Sequence, residues 1–205
     1  MKKSLSLMVF VLLLWILPLR GQDNPVHIGI GVSLNPVALV TSNSTSSLFT
    51  PIGLTNIYIP IKINQNFRIE PEIGFFSLSQ ENSSTMGSSQ DNSSSIIRIG
   101  LGVFYSHVLE NNFNTYFGPR IGFLFNSSTS HYTGSPETTT SETDFFIGFC
   151  TGGEYLLSSH FSLGGEVQLN YISFGEPDVS PSTSTSSRSQ SIFTTNALIF
   201  FRWYF

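Results

Sequence analysis

Apolar residues alternate with small or polar ones along most of the chain, and the period is two rather than 3.6. Ile57, Ile59, Ile61 and Ile63 share one parity while Lys62 takes the other. Ile97, Ile99, Leu101, Val103 and Tyr105 alternate with Arg98, Gly100 and Gly102, and Phe117, Ile121, Phe123 and Phe125 with Gly118, Arg120 and Gly122. Phe145, Ile147 and Phe149 interleave with Gly148, and Val167, Leu169 and Tyr171 with Glu166, Gln168 and Asn170. Successive side chains of a strand point to opposite faces, so each stretch predicts a strand with one apolar and one polar face. Eight strands are expected, over 26–39, 54–63, 67–79, 95–108, 113–125, 143–156, 161–174 and 191–205. Pro60, Pro71 and Pro119 fall inside them and predict bulges or strand boundaries, because each removes a ladder donor.

The connections alternate in length. Residues 64–66, 109–112 and 157–160 read as tight turns, whereas 40–53, 80–94, 126–142 and 175–190 are long tracts rich in Ser, Thr, Asn and Gly. Tracts such as Ser42–Ser47, Asn92–Ser95 and Ser180–Ser187 hold too little apolar surface to fold alone and read as solvated hairpin tips. An even strand number with short turns at one end and long loops at the other is the pattern of a barrel that crosses a membrane. About 12 residues, rising about 3.3 Å each at a tilt of about 40°, span about 30 Å, enough for a lipid-facing band of about 25 Å.

The position of the charges separates such a barrel from a soluble one, which turns its charges outward. Lys62, Arg68, Glu70, Glu72, Arg98, Arg120, Glu154, Glu166 and Arg202 all lie on the non-apolar parity, among glycines. That face is too sparse in charge to solvate an outer surface, so it is assigned to the lumen. An Arg facing lipid near midplane costs about 2–4 kcal/mol, whereas in a narrow interior it can pair with Glu. The expected role of this set is a stabilising network that fills the barrel; the functional alternative is a narrow gate or ion path.

Composition sharpens the picture. The chain has 205 residues, 11% charged and 14% aromatic, with mean hydropathy +0.12. One domain is expected. Lys2, Lys3 and the apolar run Leu5–Leu17 read as a secretory signal over 1–22, leaving 23–205 as the barrel domain. That run falls short of the roughly 20 apolar residues a membrane-spanning helix needs. Without the leader, an excess of Asp and Glu over Lys and Arg argues against a nucleic-acid partner. Cys150 is the only cysteine, so neither an intrachain disulfide nor a thiolate metal cluster is expected, and no cofactor is implied.

The chain ends Phe201-Arg202-Trp203-Tyr204-Phe205. Phe201, Trp203 and Phe205, at two-residue spacing, resemble the C-terminal signal by which outer-membrane barrels are handed to their assembly machinery; Ala197 is a mild departure. Phe67-Arg-Ile-Glu-Pro-Glu-Ile-Gly74 and Tyr116-Phe-Gly-Pro-Arg-Ile-Gly122 are similar to strand phrases of outer membrane protein β-barrel domain families. With the strand pattern, residues 26–205 resemble the OmpA/OmpX-type small barrels. The resemblance implies an all-β, eight-stranded antiparallel up-and-down transmembrane barrel in a bacterial outer membrane, with outer-membrane lipid and the barrel-assembly machinery as partners. It implies little about activity, since this fold hosts adhesins, structural anchors and lipid-modifying enzymes.

Candidate chemistry is thin. His160-Phe161-Ser162 resembles the His-x-Ser element of outer-membrane lipid A deacylases, but it falls in an expected periplasmic turn, away from an outer-leaflet substrate. His27, His107 and His131 show no metal spacing, Cys150 reads as a packed residue, and the Gly29/Gly31 and Gly100/Gly102 pairs lack the third glycine and helix of a phosphate cradle. The expectation is a non-enzymatic barrel with a structural or adhesin-like role carried by its outer loops, where a surface ligand would bind; the alternatives are a passive pore and a lipid A-modifying enzyme.

Overall fold

The computed structural model describes residues 27–34, 55–83, 89–110, 112–181 and 190–205. The expected leader, the connection at 40–53 and most of the Ser180–Ser187 tract lie outside them. The described residues form ten strands: β1 (His27–Leu34), β2 (Thr55–Tyr58), β3 (Ile61–Lys62), β4 (Phe67–Ser83), β5 (Ser89–Glu110), β6 (Phe113–Tyr132), β7 (Thr138–Leu156), β8 (Phe161–Ser173), β9 (Asp178–Ser180) and β10 (Ser191–Tyr204). β2 and β3 are two halves of one wall strand and β9 is a short addition on β7, so the barrel wall has eight strands. All pairings are antiparallel, and β1 pairs with β10 from Gly29↔Tyr204 to Leu34↔Ile199, which closes the sheet.

The ladder fixes the stagger. Following direct partners around the wall leads from Gly31 through Tyr58, Glu72, Gly100, Gly122, Phe146 and Ile172 to Ile192, yet Gly31 itself pairs with Arg202, ten residues on. A stagger of ten over eight strands corresponds to a strand tilt of about 40°.

The prolines act as their missing N–H requires. Pro60 separates β2 from β3, but its carbonyl accepts from Gly29 N at 2.9 Å and Ile59 N donates to Pro71 O at 2.9 Å, so the wall stays continuous. Pro71 sits within β4, and opposite Gly118 and Pro119 the β5–β6 ladder lapses for two residues and resumes in the same register. The register shift lies instead between Val108 and Glu110. At the first short turn Asn64 Oδ1 accepts from the backbone N–H of Asn66 and Phe67 at 2.8 and 2.9 Å, an Asx turn that reverses the chain.

The long polar connections differ from expectation. Residues 80–83 and 89–94 belong to β4 and β5, and 126–132 and 138–142 to β6 and β7, all in the register of the wall below. The described tip of the second hairpin is only Thr133–Glu137, with Gly134 at φ 85°, a conformation that favours glycine. These tracts lack the apolar surface to fold alone, but each extends a strand already paired below it, so every further ladder bond adds to an existing template.

One face of the wall is an apolar belt. Ile73, Ile99, Phe123 and Phe145 are exposed and are direct partners across four strands. Near the short-turn end, Phe67, Tyr105, Phe117 and Phe149 form a run of ring contacts with centroids 5.7–6.3 Å apart. No helix among the described residues is long and apolar enough to cross a membrane.

Candidate functional site: the luminal charge network

Opposite parity to the belt points inward. Glycine on this parity makes room for large neighbours: a Cβ on Gly122 would lie 2.2 Å from Ile99 O and 2.6 Å from the Phe146 ring, and one on Gly152 2.6 Å from Tyr116 Oη. Into that space project four arginines and four glutamates from β4, β5, β6, β7, β8 and β10.

They form a single connected cluster. Glu72 accepts from Arg98 Nε at 2.7 Å through one oxygen and from Arg120 Nη1 through the other. Arg120 Nη2 then bridges Glu70 at 3.0 Å and Glu166 at 3.1 Å, tying β6 to β4 and β8. Glu70 Oε2 lies 2.8 Å from Arg202 Nη2 and 3.4 Å from Arg68 Nε, out of line for hydrogen bonds, so these contacts are Coulombic. Arg68 Nη1 donates to Glu154 Oε2 at 3.1 Å and joins β4 to β7 across the lumen. The carboxylates take further donors: Ser162 and Tyr204 hydroxyls to Glu154 at 2.5 and 2.6 Å, and Tyr116 and Gln168 to Glu166 at 2.7 and 2.5 Å.

Aromatic faces insulate the cations. Arg202 lies 3.7 Å from the Phe200 ring centroid, Arg68 4.0 Å from Tyr116 and Arg98 4.0 Å from Phe146, a contact worth about 2 kcal/mol when desolvated. Lys62 stands at the edge of this cluster, half-buried, with its ammonium 4.0 Å from the Tyr204 ring.

Several members of this interior were not singled out from sequence. Phe104, Phe146, Phe200, Tyr58, Tyr116 and Tyr204 are buried in the lumen, and so is Asp144, which accepts from Asn126 Nδ2 at 2.6 Å and Gly175 N at 3.0 Å. The signal was their parity, which is that of the charges; an aromatic ring read by type alone is as much at home against lipid. Arg68, Arg120, Phe104 and Phe146 have 0–1% exposure, so side chains close the barrel's middle to water.

The remaining candidates do not converge. His160 Nδ1 lies 2.8 Å from Ser159 Oγ and its ring stacks on Trp203, whereas Ser162 is buried and donates to Glu154; no His–Ser dyad forms. Cys150 is buried beside Phe104, Tyr116 and Phe200. His27, His107 and His131 occupy separate strands, and no group of His, Cys, Asp or Glu among the described residues could hold a metal ion. Phe201, Trp203 and Phe205 all face outward along the closing strand, and Phe205 N donates to Ile28 O at 2.9 Å.

A family model described as the outer membrane protein beta-barrel domain matches residues 8–188. Among solved structures, a major outer membrane protein from Thermus thermophilus is similar with a TM-score of 0.55 at 12% identity, over 88% of this chain and 100% of that one. Neisserial surface protein A is similar with a TM-score of 0.47 at 16% identity, over 88% of this chain and 96% of that one. None of the curated proteins compared matches the sequence.

Proposed function

The chain belongs to the outer membrane protein beta-barrel domain family, and from that premise we propose that it is a non-enzymatic surface barrel whose hairpins contact partners outside the cell. The carrying observation is the continuation of β4, β5, β6 and β7 beyond the apolar belt. On β5 the residues Ser89–Ile96 lie above the outermost lipid-facing position, Ile97, and at about 2.5 Å of height per residue they rise about 20 Å. A strand that only crossed the bilayer would stop near Ile97. Extending a paired sheet into solvent holds polar side chains in a fixed array, which lowers the ordering cost of meeting a partner.

The filled lumen favours this reading over a passive pore, which needs a continuous wet path. The separation of His160 from Ser162 supports a non-enzymatic role over lipid A modification.

Attachment to immobilised collagen, fibronectin or mucin tests the proposal on cells displaying the chain. A variant in which 80–94 and 128–138 are each replaced by an Asn-Gly turn should keep a heat-modifiable barrel and lose attachment. Unchanged attachment by the trimmed barrel would remove the hairpins from the role.

A further inference from the structure

Charge is segregated across the wall. All five cations the structure describes, Lys62, Arg68, Arg98, Arg120 and Arg202, turn to the lumen side; Lys2, Lys3 and Arg20 precede β1, and Arg188 lies outside the described residues. Among the described residues the outer wall therefore presents no Lys or Arg to the membrane.

On β4 to β7 the outer face changes in one step from apolar to hydroxyl. Phe75, Ile97 and Phe125 form the last apolar row. Directly above it Ser77, Ser95, Ser127 and Ser141 are mutual partners in one row. Ser79, Ser93, Thr129, Thr139 and Ser180 follow in the next. Thr129 and Thr139 Oγ1 lie 3.2 Å apart, as expected of side chains on one face. Strands about 4.8 Å apart and same-face residues about 6.7 Å apart make a regular grid. Beyond it the next row holds Glu81, Asp91 and His131 as direct partners, and Asp178 borders the grid opposite Ser141.

Height places the lower part of the grid, around Ser77, Ser79 and Ser95, in the polar layer of the bilayer. Along each strand the two rows stand about 5 and 10 Å beyond the last apolar row, and the stagger lifts each row by about 3 Å per strand from β4 to β7, so the Ser77 end lies lowest. The headgroup region extends about 5–8 Å beyond the hydrocarbon of a typical bilayer, and sugar headgroups reach further. Whatever headgroups border β4–β7 must pack against these hydroxyls.

We propose that this grid seats the uncharged sugar headgroups of an outer-leaflet glycolipid and disfavours anionic headgroups. Ser and Thr hydroxyls both donate and accept, as sugar hydroxyls do, so either partner can supply the proton in each contact. A phosphate headgroup calls for Arg or Lys, which this face lacks among the described residues, and meets three carboxylates, Glu81, Asp91 and Asp178, against one imidazole, His131. Among the described residues the grid lies on the β4–β7 side, since β8 ends at Ser173 and β10 begins at Ser191. The glycolipid is thus held on the β4–β7 side.

The test uses the full mature barrel refolded into phosphatidylcholine vesicles doped, in equal mole fraction, with digalactosyl diacylglycerol or phosphatidylglycerol. Lipid retained per barrel after gentle detergent transfer is counted by native mass spectrometry. Retention of the galactolipid over phosphatidylglycerol by about fivefold, equivalent to about 1 kcal/mol, is expected. Combined Ser77→Ala, Ser95→Ala, Ser127→Ala and Ser141→Ala should abolish the preference, while Ser94→Ala, Ser128→Ala and Thr140→Ala, a row on the opposite face of the same strands, should leave it. Equal retention of both lipids by the unaltered barrel, preference for phosphatidylglycerol, or the same loss in both alanine rows would each overturn the proposal. The unaltered barrel alone decides the first two, so the result does not depend on the variants folding.

Discussion

Arg120 shows what a buried charge does in this barrel. Its guanidinium is fully enclosed and reaches three carboxylates, Glu70, Glu72 and Glu166, on two other strands. Enclosing an ion pair costs several kcal/mol per ion in desolvation, so the pair is tolerated because its geometry and added hydrogen bonds offset that cost. Removing one partner leaves the others buried and uncompensated. Arg120→Met is therefore expected to destabilise the barrel by about 3–5 kcal/mol in urea unfolding from lipid vesicles. Arg120→Met combined with Glu72→Gln should lose less than the two single changes summed, and additive losses would mean the pair is not coupled. At this scale the sequence showed which charges share a face; it did not show that Glu70 would serve Arg120 and Arg202 as well as Arg68, two residues away on β4, because the first two pairings join β4 to β6 and β10.

Each of β4 to β7 combines two environments along its length. In β5, Ile97, Ile99, Leu101, Val103 and Tyr105 face lipid, and above them Ser95 and Ser93 continue the same face in a polar layer. The identical substitution should have opposite outcomes at the two levels. Ile99→Arg is expected to cost about 2–4 kcal/mol and to reduce the heat-modifiable fraction on unboiled gels, whereas Ser93→Arg should assemble normally. Equal tolerance would place the membrane boundary elsewhere. The belt was legible from period two. The hairpin extensions were not, because Ser-rich tracts have the composition of solvated loops and become strand only when the strand below supplies their register.

Closure is a property of the whole molecule. β1 and β10, farthest apart in sequence, meet along six residue pairs, and the stagger of ten sets how wide the interior is. Within that width the arginines and the rings of Phe104, Tyr116, Phe146 and Phe200 fill the middle. Planar bilayer recordings of the intact barrel should accordingly show no conductance steps. Phe104→Ala together with Arg120→Ala should introduce small ones by opening a wet path. Steps from the unaltered barrel would contradict a sealed lumen.

Sequence by itself determined the alternation, the face that meets lipid, the face that carries charge and the number of wall strands, since each follows from the period-two geometry of a single strand and the cost of placing charge against hydrocarbon. Tertiary structure decided the seam between β1 and β10, the stagger, the partners within the charge cluster and the rise of the hairpins above the membrane. These depend on which residues of different strands stand side by side. That is set by register and closure summed around the whole barrel, which no single segment carries.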